Sequence, residues 1–332
     1  MAPGIGRREG SWGAVTSSPW IGFALRRLVG FLLGALLLIV VSFAMIHLVP
    51  GDPVRASLGL DVPAETIELK RHELRLDEPI PIQFLDYVRG LARLDFGTSI
   101  KTGEPVARIL SNRLPNTAEL AVLAILLVIV ISIPVGLAAG ARTYGRERAW
   151  RGLVFTGIAG TVTAIPPYLM AVLLIVVFSL TLNLLPSAGK DQFNTFVLPA
   201  FALALGPAAY LARVVRIETI NVLGREYMMT ARSKQLPPRI LYLRHALPNV
   251  LTAALTLVGV LFGSLIAGSV IIENIFAWPG MGKVLVGAII DKDYPVVQST
   301  ILVLGLLVLT ANTVVDILLV LMNPRLASLR DS

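Results

Sequence analysis

Long apolar stretches, separated by shorter polar ones, run through most of this 332-residue chain. Runs of 18 or more apolar residues are typical of transmembrane helices. The pattern predicts spans over residues 28–49, 120–141, 152–189, 192–212, 250–272 and 296–321. The third stretch is too long for one straight span, and Pro166-Pro167 predicts a broken or kinked helix there, followed by a short outer loop. The pattern indicates an all-α integral membrane protein with six transmembrane helices.

Composition agrees with a membrane protein. The chain is 55% hydrophobic and 15% charged, with a mean hydropathy of +0.76, whereas soluble domains carry about 25% charged residues. The net charge of +8 is explained by basic cytoplasmic loops. No basic patch with interleaved aromatic residues indicates a nucleic-acid partner. The sequence has no cysteine and only three dispersed histidines, so we expect no metal site.

Six spans place both termini on one side of the membrane, and the charges of the short loops put that side in the cytoplasm. Residues 1–24 are expected to form a mobile cytoplasmic tail, 25–326 the transmembrane domain and 327–332 a cytoplasmic C-terminal tail. The first span follows Arg26-Arg27 but is too long for a signal peptide, and no cleavage site follows it. It is therefore expected to be retained.

The longest polar region, residues 50–113, is predicted to be a helical loop outside the cell membrane. Residues 66–76 have helical composition, and Pro79-Ile80-Pro81 precedes a second predicted helix. The apolar residues of this second helix recur at helical spacing: Phe84, Leu85, Val88, Leu91 and Leu94. That apolar face either packs against the spans or lies on the membrane surface. We favour packing.

A second polar loop, residues 221–249, lies on the cytoplasmic side. It is much longer than the usual two to eight residues between helices. Glu226 begins a helix-forming run and Arg232 and Lys234 end it, which suits the helix dipole. Pro237-Pro238 then stops the run. We expect a short helix lying across the cytoplasmic face of the membrane, where it can contact a partner.

The sequence argues against catalysis by this chain. Residues 279–283 end in Gly-Lys, but Ala277 stands where a Walker A loop needs glycine, and Val284 stands where it needs Ser or Thr. This segment also falls on the outer side of the membrane. We find one carboxylate well inside a predicted span, Asp316, and expect it to pair with a polar neighbour near the cytoplasmic end rather than drive proton transport.

Several segments in register resemble the dipeptide and oligopeptide subfamily of ABC-importer permeases. Residues 226–234, followed by Arg-His-Ala-Leu-Pro-Asn at 244–249, are similar to the EAA loop of that family. The other matching segments are residues 47–53, 95–99, 113–117, 273–280, 293–298 and 323–325. The resemblance covers nearly everything from about Leu25 onward.

The chain departs from this family at two positions. Gln235 follows the lysine of the loop, where the family usually has glycine, and Asn323 replaces the usual aspartate at the end of the last helix. A glycine at position 235 would permit a left-handed turn between the two loop helices. Gln235 must make this turn at a greater cost or differently.

The resemblance implies a type I ABC-importer permease fold in a bacterial inner membrane. Its partners would be a second permease subunit, two cytosolic ATPase subunits (or one fused), an extracytoplasmic solute-binding protein and membrane lipid. The long outer loop is similar to that of the first permease of such a pair. ATP and Mg would be bound by the ATPases, and this chain would bind no cofactor and would not be an enzyme.

The resemblance also implies positions for the partner contacts. The expected ATPase-docking residues are Glu226, Tyr227, Thr230, Ala231, Lys234 and Gln235. The expected binding-protein contacts, from segments 76–97 and 278–283, are Phe84, Tyr87, Asp95, Trp278 and Lys283. Dipeptides or oligopeptides are the expected substrates, with glutathione, a nickel chelate or a haem-like ligand as alternatives. A channel or an ion-coupled carrier without an ATPase is the competing class, and a membrane scaffold is a third.

Overall fold

The computed structural model describes residues 19–48, 54–55, 62–73, 75, 77–145, 149–190 and 192–322. The predicted C-terminal tail and most of the predicted N-terminal tail lie outside these residues, as do parts of the outer loop. The helices are α1 (Pro19–Leu48), α2 (Ala64–Glu73), α3 (Ile80–Ala92), α4 (Val106–Thr143), α5 (Ala149–Ala164), α6 (Pro167–Leu174), α7 (Val197–Leu223), α8 (Glu226–Ser233), α9 (Leu247–Ile275), α10 (Met281–Ile290) and α11 (Tyr294–Met322).

The described residues include five helices long and apolar enough to cross a membrane: α1, α4, α7, α9 and α11. The pair α5–α6 provides a sixth span if its two halves are counted together. A π-helical segment, Ile175–Thr181, prolongs α6. The prediction of an all-helical membrane protein is therefore confirmed.

Most helices extend beyond the apolar stretches that predicted them. Helix α1 begins at Pro19, so residues 19–24 are helical rather than part of the predicted tail. Helix α4 begins 14 residues before the predicted span, and α7 continues to Leu223 rather than ending at residue 212. The apolar run marks only the part of a helix that lipid or protein covers. A helix can continue into polar sequence beyond that run, because its backbone hydrogen bonds are made within the helix itself.

The third span is broken at Pro166-Pro167, as the sequence predicts. Helices α5 and α6 meet there at 95°. Pro166 has the extended conformation φ −59°, ψ 144°, and α6 starts at Pro167. Neither proline has a backbone N–H, so the helix ends here. Pro167 also disfavours a helical conformation at Pro166, and a new helix begins after this break.

Small residues bring α4 and α7 into close contact at the centre of the molecule. A Cβ atom on Gly136 would lie 2.6 Å from Ala212 O and from the side chain of Val215, and Gly140 faces Thr219 and Arg216 O at similarly short range. Such close approach is a common basis of helix association in membranes, where dispersion contacts replace the hydrophobic effect. The two helices form a core with α9 that includes Leu211, among other buried residues.

Helix α1 lies at the periphery and packs chiefly against α11. Gly305 of α11 lies against Leu38, and Gly34 of α1 lies against Leu309. Only 6% of the apolar window of α1 is buried within the chain. Its exposed leucine and valine side chains, including Leu33 and Leu37, therefore form an outward apolar face suited to lipid or to another membrane helix.

Candidate functional sites

The polar loop between α7 and α9 forms a short helix, as its charge pattern predicts. Helix α7 ends at Leu223, and the backbone N–H of Gly224 caps it by donating to Ile220 O and Asn221 O. Arg225 is extended and leads into α8. Glu226 occupies the first turn of α8 and Arg232 the last, where each charge complements the helix dipole.

Helix α8 has an outward face and an inward face. Most of the residues predicted to dock an ATPase are exposed: Glu226, Tyr227, Thr230, Lys234 and Gln235. Ala231 is an exception, because it is only 7% exposed and packs in the core with Met228, which is fully buried. Ala231 is therefore largely covered by this chain itself, and its contact with an ATPase stays a prediction. The small side chain of Ala231 lets α8 lie close to the body of the protein.

Gln235 adopts the left-handed conformation that the family achieves with glycine. Its φ is +53°, and its backbone N–H donates to Arg232 O at 2.8 Å. Left-handed geometry costs an ordinary L-residue roughly 1–2 kcal/mol because Cβ crowds a carbonyl oxygen. The structure thus resolves how the turn is made: the backbone conformation is kept despite the side chain.

Three structural connections join α8 to the transmembrane helices. The guanidinium of Arg232 lies 4.6 Å from the centroid of the Tyr144 ring, immediately after α4. Met228 belongs to the same buried cluster as Val222 of α7 and Val250 of α9. The chain between α8 and α9 continues helically from Pro238 through a π-helical segment at Leu241–Ala246. Helix α8 is therefore in packed contact with α4, α7 and α9.

The five residues predicted to meet a binding protein occupy different environments. Asp95 and Lys283 are exposed. Trp278 is completely buried, donates from Nε1 to Asn116 O at 3.1 Å, and stacks edge-on against Phe196 at 4.6 Å. Trp278 therefore packs inside its turn, and its contact with a binding protein stays a prediction.

Phe84 and Tyr87 use their rings to attach α3 to the outer end of α1. The Phe84 ring lies 5.2 Å from that of Phe43, and the hydroxyl of Tyr87 is hydrogen-bonded to Ser42 Oγ at 3.0 Å. Burial raises the pKa of Tyr87, so its hydroxyl remains neutral and available for this bond. The predicted packing of the apolar face of α3 is thus found for Phe84, whereas Leu85 and Leu94 of that face are exposed.

A buried carboxylate, Glu273, organises the outer ends of α4, α9 and α10. Thr117 Oγ1 donates to its Oε1 at 2.7 Å, and the N–H of Gly282 donates to its Oε2 at 2.6 Å. The N–H of Met281 in turn donates to Thr117 Oγ1 at 2.8 Å. Gly280 and Gly282 are required because a Cβ on either would overlap the Glu273 carboxylate.

The sequence analysis missed Glu273 as an intramembrane acid because it ended the fifth span at residue 272. Helix α9 continues to Ile275, so Asp316 is not the only carboxylate within a spanning helix. The available signal was an acid directly after an apolar run, followed by the Pro279-Gly280 turn. An acid at that position has to be satisfied by nearby donors when the helix continues.

Two further polar contacts tie the outer loop together. Buried Asp293 accepts hydrogen bonds from Ser99 Oγ and from the N–H of Ile100, the latter at 3.1 Å. Lys190 donates to Asn116 Oδ1 and to Glu119 Oε2, both at 2.6 Å. These contacts connect segments distant in sequence: Asp293 joins the motifs at residues 95–99 and 293–298, and Lys190 joins the loop before α7 to the motif at residues 113–117.

Asp316 forms an ion pair with Arg27, which joins α1 to α11. The expectation that Asp316 finds a charged or polar partner is therefore met within the chain. The pair borders a cavity of about 490 Å³ that is also lined by Asn312 and Ser264. The described residues contain no group of three or more His, Cys, Asp or Glu side chains arranged to hold a metal ion.

Two family models match this chain, one in each part of the sequence. The family described as "Binding-protein-dependent transport system inner membrane component" matches residues 132–328, and its N-terminal companion family matches residues 20–121. A crystal structure of an amino acid ABC transporter with histidines aligns with a TM-score of 0.45 and 17% identity, covering 66% of this chain and 94% of that one.

Two curated relatives cover almost the whole chain. The glutathione transport system permease protein GsiC of Salmonella choleraesuis (strain SC-B67) is 34% identical over 305 residues, which are 92% of this chain and 98% of the relative. GsiC of Escherichia coli (strain K12) is 34% identical over 304 residues, with the same two coverages. The chain belongs to the family of binding-protein-dependent transport system inner membrane components, and it is a permease subunit of an ABC importer.

Proposed function

We propose that this permease imports a peptide-type substrate and that α8 is where a cytosolic ATPase docks. The observation that carries the docking proposal is the division of α8 into two faces. Its outward residues, including Glu226 and Lys234, are exposed, whereas Met228 and Ala231 are fixed in the core. A partner can therefore grip the outer face without disturbing the contacts that transmit its movement.

The movement would reach the transmembrane helices through packed contacts. An ATPase pair that closes on ATP would pull the α8 helices of the two permeases together. Within this chain the pull would act on α7 through the short turn at Gly224 and Arg225, on α4 through the Arg232–Tyr144 contact, and on α9 through the buried cluster. ATP and the loaded binding protein would shift the population between inward- and outward-facing states, because each binds one state better than the other.

Orientation and partners follow from the same proposal. The α8 face lies in the cytoplasm, both termini are cytoplasmic, and the 50–113 loop lies outside a bacterial inner membrane. A second permease, two ATPase subunits or one fused ATPase, and an extracytoplasmic binding protein complete the transporter. ATP and Mg belong to the ATPases. Exposed Asp95 and Lys283 are the residues of the predicted outer set that remain available to the binding protein.

The docking proposal is tested by Glu226→Lys in the complete reconstituted transporter. The substitution reverses the charge at the start of the exposed face, so we expect at least a tenfold loss of ATP-driven uptake and of substrate-stimulated ATPase activity. The matched control is Glu218→Lys, which makes the same charge change on the body of α7. Both variants should remain in the membrane at normal levels. Normal uptake and ATPase stimulation in Glu226→Lys would overturn the assignment.

The substrate proposal rests on the two relatives, which are glutathione permeases by name. Glutathione is a tripeptide, so it lies within the peptide class that the loop motifs indicate. Selection in such importers would rest largely with the binding protein. Calorimetric titration of the cognate binding protein with glutathione, a dipeptide, an oligopeptide, a nickel chelate and haem tests this directly. Micromolar or tighter binding of a peptide, with none for the chelate or haem, is the expected result.

A further inference from the structure

The exposed side of α3 carries apolar residues that the contacts with α1 leave uncovered. Ile80 is 57% exposed, Ile82 is 44% exposed and Leu85 is 52% exposed. Phe84 and Tyr87 pack against α1. By helical spacing Ile82 and Leu85 lie on the opposite side of α3 from these two rings, whereas Ile80 lies on the same side as the rings. Helix α3 is therefore apolar on more of its circumference than the described part of the chain covers.

The contacts of α3 fix its depth relative to the first span. Gln83 Oε1 lies 3.2 Å from Nε2 of His47, and Tyr87 reaches Ser42. His47 and Ser42 are five residues apart on α1, which corresponds to about 7.5 Å along the helix axis. Helix α3 thus lies beside the last turns of a span that runs over Gly22–His47.

A span of 26 residues is long enough to cross the hydrocarbon core and enter both headgroup regions, since about 20 residues cross the core. Its outer end at His47 therefore lies in the interfacial layer. Because α3 is attached there, its exposed isoleucine and leucine side chains lie at the boundary between headgroups and acyl chains. Amphipathic helices at membrane surfaces bury their apolar side at this depth.

Two neighbouring features agree with lipid as the occupant. Helix α1 itself has outward apolar side chains close to the α3 contacts, including Val40 and Val41, so the exposed surface of α3 continues a face suited to lipid. Exposed Arg89 and Arg93 follow the apolar patch along the chain. Long cationic side chains at this depth favour the phosphate layer.

We infer that α3 is an interfacial anchor: Ile82 and Leu85 insert into the outer leaflet of the bilayer while Phe84 and Tyr87 hold the helix to α1. The outer loop is thereby fixed to the membrane surface at one end, rather than standing free above it. This inference concerns a lipid contact of the loop and does not depend on the substrate or on the ATPase-docking assignment.

The absence of cysteine from the sequence allows a direct test. Single variants Ile82→Cys and Leu85→Cys carry a bimane or NBD label in the complete transporter, reconstituted in phospholipid nanodiscs. Quenching is measured with lipids that carry a doxyl group near the headgroup and with aqueous iodide. Glu65→Cys on α2, an exposed acidic position of the same outer loop, is the matched control.

We expect the labels at positions 82 and 85 to be quenched at least twofold by the shallow doxyl lipid and to be protected from iodide. The label at position 65 should show the opposite pattern. Free access of iodide to positions 82 and 85 without lipid quenching would overturn the inference, because the face would then lie in water. Protection from both quenchers would also overturn it, since a partner permease or binding protein would then cover the face.

Discussion

Thr117 Oγ1 donates a hydrogen bond to Glu273 Oε1 at 2.7 Å, and both residues are completely shielded from solvent. The same carboxylate accepts from the N–H of Gly282, so it holds α4, α9 and the start of α10 together. Removing a buried acceptor leaves its donors unsatisfied, which costs about 1–3 kcal/mol for each group. Glu273 therefore contributes to stability mainly through the donors that it satisfies.

We predict that Glu273→Leu lowers the free energy of unfolding by about 3 kcal/mol or more, because two buried donors lose their acceptor. Glu273→Gln should lose less, since the amide oxygen still accepts one bond. Thermal unfolding of the purified protein followed by tryptophan fluorescence measures the difference. Asp291→Asn is the control, because Asp291 forms its ion pair with Lys101 on the exposed surface, where such pairs contribute about 0–1 kcal/mol. Equal unfolding midpoints for Glu273→Leu and Asp291→Asn would contradict this account.

The membrane class and most helices could be predicted from the sequence because lipid imposes a simple rule. Every spanning segment has to be apolar and has to satisfy its own backbone, so residues such as those of 250–272 mark a helix without reference to the rest of the fold. The Pro166-Pro167 break was predictable for an equally local reason, since proline removes a hydrogen-bond donor. The 95° angle was not, because it depends on the helices packed around α5 and α6.

The orientation of individual side chains could not be predicted from motif membership. Ala231 and Trp278 lie in matching segments, yet both are buried, whereas Lys234 in the segment of Ala231 and Lys283 in the predicted contact segment 278–283 are exposed. A motif records that a position is constrained, and either a partner contact or internal packing can impose that constraint. Three-dimensional packing shows which residues of a motif are buried within this chain and which are exposed and free to meet a partner.

Substitutions at Gln235 can measure how much free energy of unfolding is lost when a left-handed turn is made without glycine. Its φ of +53° is unfavourable for an L-residue, and Gly would remove the Cβ crowding. We predict that Gln235→Gly stabilises the protein slightly, by up to about 1 kcal/mol after the greater chain entropy of glycine in the unfolded state is subtracted. Gln235→Val should destabilise it, because a β-branched residue tolerates positive φ poorly.

Thermal unfolding, together with hydrogen exchange of residues 226–246, checks the prediction for Gln235. Lys234→Gly is the matched control, because Lys234 has φ −77° and gains no relief from glycine. It should lower stability through chain entropy alone. Loss of stability of the same size in Gln235→Gly and Lys234→Gly would show that the left-handed conformation is not what limits the turn.

The Arg27–Asp316 pair joins the peripheral helix α1 to α11 at membrane depth, and its two charges should be interdependent. The side chains of Arg27 and Asp316 are 34% and 22% exposed, so the pair is partly buried. Removing one partner leaves an uncompensated charge, whereas replacing both with apolar residues is often neutral or stabilising. We therefore predict that Arg27→Leu and Asp316→Leu each lower the amount of folded protein in the membrane. The double variant Arg27→Leu/Asp316→Leu should recover most of the loss.

Unfolding midpoints of the wild type, the two single variants and the double variant form a double-mutant cycle, with Arg26→Leu as the control for losing a cation one residue away. Additive losses in the double variant would mean that the two side chains act independently, and the proposed attachment of α1 to α11 through this pair would be wrong.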